Sequence, residues 1–173
     1  RGGVLGGGGA AALGRLAGEQ EAVLRTLIRE QDAMTTSDSG HADLVAALAH
    51  LGSRPGVSVA TPGTAVPVPA PVAAEVVAVV AACLDNVERH VGADAPAWVL
   101  LQAHPDLLEV SVRDDGPGIA SGRLDEARDQ GRLGVSESIR GRVRDLGGTA
   151  TLTTGPGGTE WEFVVPLSPP QAP

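Results

Sequence analysis

Four short segments carry residue types at spacings that could do chemistry. The first lies in a stretch with apolar residues at helical spacing, where Ala82, Asn86 and His90 fall four apart, flanked by Asp85 and Arg89. Alone, Asn86 reads equally as an exposed polar residue and His90 as a helix-end histidine beside the dipole. The second is Asp114-Asp115-Gly116-Pro117-Gly118-Ile119, directly after a run with strand alternation. A carboxylate leaving a strand can accept a hydrogen bond from the amino group of adenine. Glycines behind it let the backbone approach a planar base or a phosphate with no Cβ between them. The same string also suits a plain turn. It lacks the Gly-Lys-Ser/Thr of a P-loop and is not the dinucleotide fingerprint. The third, Gly131-Arg132-Leu133-Gly134-Val135, leads into a helical pattern with Arg140, Arg142 and Arg144. Backbone N–H groups at such a start, with cations nearby, suit a polyphosphate; a surface helix with solvated arginines is the alternative. The fourth, Gly157-Gly158-Thr159, opens the last strand pattern, where a hairpin turn would look the same.

The elements that must position these segments follow from periodicity. Leu13, Leu16, Val23, Leu24, Leu27 and Ile28 mark an amphipathic helix over residues 10–31, either packed on its own domain or forming a dimer seam. A polar linker follows, then a short helix over 42–51 and an edge strand at Val57-Ser58-Val59. The Pro-rich run 62–71 is extended, with Pro71 placed to open a helix over 72–91. On that helix Val76, Val77, Val80, Cys83, Leu84 and Val87 share one side. Strands are expected over 97–103 and 107–113, with a turn at His104-Pro105-Asp106. A helix over 136–146 should stop at Gly147-Gly148. A hairpin pairs 149–154 with 159–165, and residues 168–173 read as a disordered tail. Because the strands cluster as hairpins, a three-layer fold with βαβ crossovers is not indicated. A mixed, mainly antiparallel sheet covered on one face by helices fits better.

With 173 residues the chain can hold one ordinary domain and an appendage. The formal charge of −8 disfavours a nucleic-acid partner held through phosphates. Its single cysteine, Cys83, excludes an internal disulfide and a cysteine-based zinc site, and its apolar surroundings make it a core residue. No stretch reads as long and apolar enough to span a bilayer and no signal peptide is evident, so a soluble fragment is expected.

Taken jointly, the order Asn-x-x-x-His helix, Asp-x-Gly-x-Gly after a strand, Gly-Val-led helix ending Leu-Gly-Gly, and Gly-Thr before a strand resembles the ATPase module of bacterial sensor histidine kinases. That module (the Bergerat fold) is shared with gyrase B, heat-shock chaperones and mismatch-repair ATPases. The resemblance covers residues 44–168. The segment from Ser138 to Val143 with Leu146-Gly147-Gly148 is similar to the class that signals to LuxR-type response regulators. The resemblance implies a two-layer α/β sandwich binding ATP and Mg²⁺. Asn86 would ligate Mg²⁺, and Arg89 and His90 would lie near the phosphates. Asp114 would take the adenine amino group, Gly116, Gly118 and Ile119 would give close approach, and Thr159 would support that contact. Residues 120–133 would form a lid over the nucleotide, with Arg132 and Leu133 among its binding residues and Gly134 at its hinge to the helix. It also implies cytoplasmic placement, with or without a membrane anchor in the full-length protein. Residues 1–36 would be the tail of, or exit from, a dimerisation bundle, joined by a linker at 37–43 and able to mediate a homodimer.

Two positions depart from the family pattern. Where many relatives have Glu four residues before the Mg²⁺-binding Asn, this chain has Ala82, with Asp85 and Glu88 as the nearest substitutes. Arg132 stands where the lid pattern has glycine. Loss of the Glu favours a histidine acceptor over a serine or water, because imidazole is substantially neutral near physiological pH and needs no base. None of His41, His50, His90 and His104 sits where an acceptor should, so the acceptor is expected on a dimerisation helix outside this fragment. The competing readings are a catalytically silent nucleotide-binding module, an anti-sigma-type serine kinase, and an interaction protein without ligand.

Overall fold

The computed structural model describes residues 40–119 and 134–167. The expected N-terminal helix, the 120–133 segment and the C-terminal tail lie outside the described residues.

Strand β1 (His41–Asp43) leads into α1 (Leu44–Ala49), followed by a 3₁₀ turn at His50–Ser53 and strand β2 (Val57–Ala60). Asp43 makes that start by accepting Val45 N–H at 3.0 Å as the helix cap and Val66 N–H at 2.9 Å. One carboxylate thereby ties α1 to the approach of β3 (Pro67–Pro69), which pairs antiparallel with β1. The Pro-rich run is therefore a strand as well as extended. Proline is tolerated because this small ladder has only two strands, both of them edges.

Helix α2 (Ala70–His90) opens with Pro71 in its first turn, where a missing N–H costs nothing. It ends when Val91 and Gly92 both donate to Val87 O, with Gly92 at φ 149. Ala73, Val76, Val79, Val80, Cys83, Leu84 and Val87 are buried. Val77, expected on that face, is half-buried, while Val79 is buried. The helix packs against more than the sheet, since Arg142 of the last helix also meets it through Glu75, and the covered arc is broad.

Strands β4 (Ala97–Ala103) and β5 (Leu107–Asp114) form a hairpin, then come α3 (Gly134–Asp145), β6 (Thr149–Gly155) and β7 (Gly158–Pro166). Gly147, at φ 73, stops α3 as expected, with Gly148 N–H reaching Val143 O. The five-stranded sheet runs β2-β4-β5-β7-β6, antiparallel except for the parallel pair β2–β4. That pair is the parallel element of the mixed sheet: β2 reaches β4 by way of α2, a single crossover within a two-layer arrangement and not a three-layer fold. The predicted mixed, mainly antiparallel sheet with helices on one face is what is found. Alternation is clean: Val99, Leu101, Leu108, Val110, Val112, Trp161, Phe163 and Val165 face the helices, and Trp98 and Leu100 face outward. Each such buried Leu or Val removes apolar area worth about 1.5–3 kcal/mol.

One expectation about membranes is also corrected. Among the described residues α2 is long and apolar enough to cross a bilayer by length and composition. In this fold its apolar side chains build the core, and the helix is held laterally by Glu75–Arg142 (2.9 Å) and Asp85–Arg54 (2.6 Å).

Cys83 is 2% exposed, and burial pushes its thiol pKa up. An unfolded-chain thiol ionises near ~8.5. Above that pH the unfolded state releases a proton that the folded state keeps, so stability falls as pH rises, by up to about 1.4 kcal/mol per unit. Below it the thiol is neutral in both states and contributes no slope. Cys83→Ala is expected to remove this component between roughly pH 9 and 10.5, seen as a shallower pH dependence of the urea midpoint than in the wild type.

Candidate nucleotide site

The end of β5, the loop after it, the β6–β7 turn and the end of α2 converge. Asp114 closes β5 and is 6% exposed, the one buried polar or charged residue among those described. Its Oδ1 accepts Gly116 N–H at 2.8 Å, an Asx turn that fixes the plane of the carboxylate. Charge-assisted acceptance of an N–H is what makes burying this group tolerable.

The glycines behind it are set by close approach. A Cβ on Gly116 would stand 2.6 Å from Val91 Cγ2 and 2.9 Å from Asp114 Oδ1, so the loop lies against the residue that ends α2. Gly118, at φ +68, packs with its Cα face on the Gly155 carbonyl, and Gly158, at φ +116, packs on the Asp114 carbonyl. The β6–β7 turn is thus pressed onto both ends of the Asp-x-Gly-x-Gly loop. Ile119 N–H then donates to Thr154 Oγ1 at 2.8 Å, and Thr154 Oγ1 lies 3.2 Å from Thr159 Oγ1 across the β6–β7 pair.

The structure therefore brings Asp114, Gly116, Gly118, Ile119 and Thr159 into one cluster. Asn86 sits half-buried on α2, with Arg89 and His90 exposed in its last turn. Val91, against Gly116, lies five residues beyond Asn86, an axial rise of roughly 7 Å. Gly134 is the first residue of α3. Arg132 and Leu133 lie outside the described residues.

Two of the charged side chains that looked available for a ligand are engaged elsewhere. Arg140 is not directed to a ligand; its guanidinium stacks 5.3 Å from the centroid of Trp161, itself stacked on Phe163. Arg142 pairs with Glu75. Both arginines dock α3 onto the core, the first for about 0.5–2 kcal/mol, the second, half exposed, for less than about 1 kcal/mol. Asp85, a candidate substitute for the missing Glu, is paired with Arg54. Ala82 has no proton-accepting group at all.

Thr154 joins the cluster without having been singled out by its sequence. A hydroxyl one position before a Gly-Pro-Gly-Gly turn, opposite Thr159 in hairpin register, was the available signal.

The arrangement fits an adenine nucleotide: a buried carboxylate held in plane, a glycine floor without Cβ atoms, and a hydroxyl pair beside it. Among the described residues no group of three or more His, Cys, Asp or Glu could hold a metal ion. A Mg²⁺ in this site would rely on Asn86, phosphate oxygens and water, the ligand set a hard cation accepts.

Comparison with curated protein sequences gives no match. Among solved structures, the chain is similar to the histidine kinase domain of the Erythrobacter litoralis blue-light activated histidine kinase, with 27% identity and a TM-score of 0.52. That match covers 72% of this chain and 57% of that domain, so this chain spans little more than half of its length. Its fold is also similar to that of the histidine kinase domain of the E. coli osmosensor EnvZ, at 21% identity and TM-score 0.54, covering 77% of this chain and 91% of that one. The ATP binding domain of PrrB from Mycobacterium tuberculosis matches at 20% identity and TM-score 0.53, covering 75% and 99%. The family model of the histidine kinase-, DNA gyrase B- and HSP90-like ATPases matches residues 72–169, more than half of the chain. With the buried Asp114, its glycine floor and Asn86 all inside that span, the chain belongs to the histidine kinase-, DNA gyrase B- and HSP90-like ATPase family.

Proposed function

We propose that this chain is the ATP-binding catalytic part of a sensor histidine kinase acting in the cytoplasm. It passes the γ-phosphoryl group of ATP to a histidine on a dimerisation helix, for relay to a response regulator of the LuxR type. The observation that carries the reading is Asp114, buried and oriented by Gly116 N–H at the mouth of a glycine-floored loop. In this role Asp114 accepts the adenine amino group, and Gly116 and Gly118 let the base lie close. Asn86 offers its amide oxygen to Mg²⁺, Arg89 supplies positive charge for the phosphates, and His90 lies near them as a hydrogen-bonding group. Arg132, Leu133 and Gly134 are assigned to nucleotide binding on the family resemblance alone. Mg·ATP supplies the phosphoryl group and the compensation of its charge. Residues 1–36 serve as the exit from the dimerisation bundle and bring two copies together; of the linker expected at 37–43, His41–Asp43 belongs to the ATPase domain, paired with Pro67–Pro69.

Ala82 bears on the acceptor. With Ala82 in that place and Asp85 paired with Arg54, the stripe of Ala82, Asn86 and His90 offers no carboxylate to deprotonate serine or water. A neutral imidazole needs none, and the transfer depends on positioning and charge neutralisation. The same two features favour, as the second reading, a nucleotide-binding module without catalysis. The test supplies a dimerisation domain carrying its acceptor histidine in trans with radiolabelled Mg·ATP. Acid-labile, base-stable label on the acceptor, lost with Asn86→Ala, is the expected result. Binding of ATP with no label on any acceptor offered leaves the silent module in its place.

A further inference from the structure

We infer that Thr154 is a positioning residue that turns the hydroxyl of Thr159 into a dedicated hydrogen-bond donor toward the bound base. The inference rests on the nucleotide reading of the Asp114 site. A threonine hydroxyl has one proton to give and two lone pairs to receive with. Ile119 N–H already occupies one lone pair of Thr154 Oγ1, at 2.8 Å. Thr154 Oγ1 and Thr159 Oγ1, 3.2 Å apart, share one further proton between them. With Ile119 N–H polarising Thr154, the Thr154 proton goes to Thr159, and the Thr159 proton is left for a ligand. The relay thus runs from Ile119 N–H through Thr154 to Thr159, and each bond strengthens the next.

The placement of the relay explains why it sits here. Ile119 is the last residue of the Asp-x-Gly-x-Gly loop, and Thr154 is the residue before the turn on which Gly118 packs. One hydroxyl therefore registers the end of the loop against the strand pair that carries Thr159. Valine at position 154 keeps the β-branched shape of a strand residue but breaks the relay at its centre, leaving Ile119 N–H without its acceptor and the Thr159 hydroxyl free to rotate. Serine keeps the hydroxyl.

The experiment measures Mg·ATP affinity by calorimetry on the full chain for wild type, Thr154→Val, Thr154→Ser, Thr159→Val and the double valine variant. Amide hydrogen exchange at Ile119 is measured on the same proteins without nucleotide. The expected result is an affinity about tenfold weaker for Thr154→Val, a value within about twofold of wild type for Thr154→Ser, and a double variant no weaker than the poorer single one. Ile119 exchange should rise in Thr154→Val and stay slow in Thr154→Ser. Wild-type affinity in Thr154→Val, failure of serine to restore it, or additive losses in the double variant would each overturn the relay while leaving the nucleotide site standing. No Mg·ATP binding by folded wild type would overturn the site and the relay together.

Discussion

Asp114→Asn is expected to reduce Mg·ATP affinity by about 100-fold or more while leaving the protein folded. Asparagine is nearly the same shape and keeps one carbonyl oxygen. That oxygen can still accept Gly116 N–H, the bond that shapes the Asx turn at 2.8 Å. The other terminus then becomes an amide NH₂, a donor facing the amino group of adenine, which is also a donor. If the amide flips, the conflict moves to Gly116 N–H. In either orientation one buried donor is left unpaired, at about 1–3 kcal/mol, and the charge that strengthened the contact is gone. A hydrophobic contribution to base binding would survive, which sets this variant apart from a collapsed site. Calorimetry with Mg·ATP, alongside a urea midpoint unchanged from wild type, checks both halves. An affinity within about threefold of wild type, under 1 kcal/mol or so, would remove Asp114 from the base.

Gly118→Ala is expected to destabilise the fold by about 2–4 kcal/mol and to weaken nucleotide binding with it. The backbone at Gly118 has φ +68, which costs an L-residue about 1–2 kcal/mol by itself. The added Cβ would also be driven into the Gly155 carbonyl, a main-chain group that cannot rotate aside. Relief requires the loop to lift from the β6–β7 turn, and lifting it stretches the bond from Ile119 N–H to Thr154. Gly141→Ala makes the opposite control. It lies within α3 with nothing within 4 Å of the new Cβ. Alanine there should stabilise by about 0.5–1 kcal/mol through helix propensity. Urea denaturation of the two variants should move the midpoint in opposite directions.

Much of the site can be read from the chain because its signals are local. Pro71 and the 3–4 spacing of valines announce α2 and its covered face, and a carboxylate at a strand end followed by two glycines announces the Asx turn. Gly147-Gly148 announces the end of α3 for the same reason, since a positive φ at a helix stop is a property of one residue. The features that stay hidden depend on pairing at a distance. Ile119 and Thr154 are separated by 35 positions, and nothing in a Thr-rich edge strand says which hydroxyl will meet a loop N–H. The parallel pairing of β2 with β4 is carried by four residues and crosses a whole helix. The arginines of α3 look alike in sequence. Only the fold shows that Arg140 has Trp161 to stack on and Arg142 has Glu75 to pair with.

Whether Asp114 anchors an adenine nucleotide is decided by titrating Mg·ATP into the wild-type chain in a calorimeter, with foldedness established by circular dichroism on the same sample. Saturable binding at one site per chain, competed by ADP and weakened about 100-fold or more by Asp114→Asn, is the outcome expected of this site. A folded protein that takes up no nucleotide, or one that binds equally well with Asp114→Asn, would refute it.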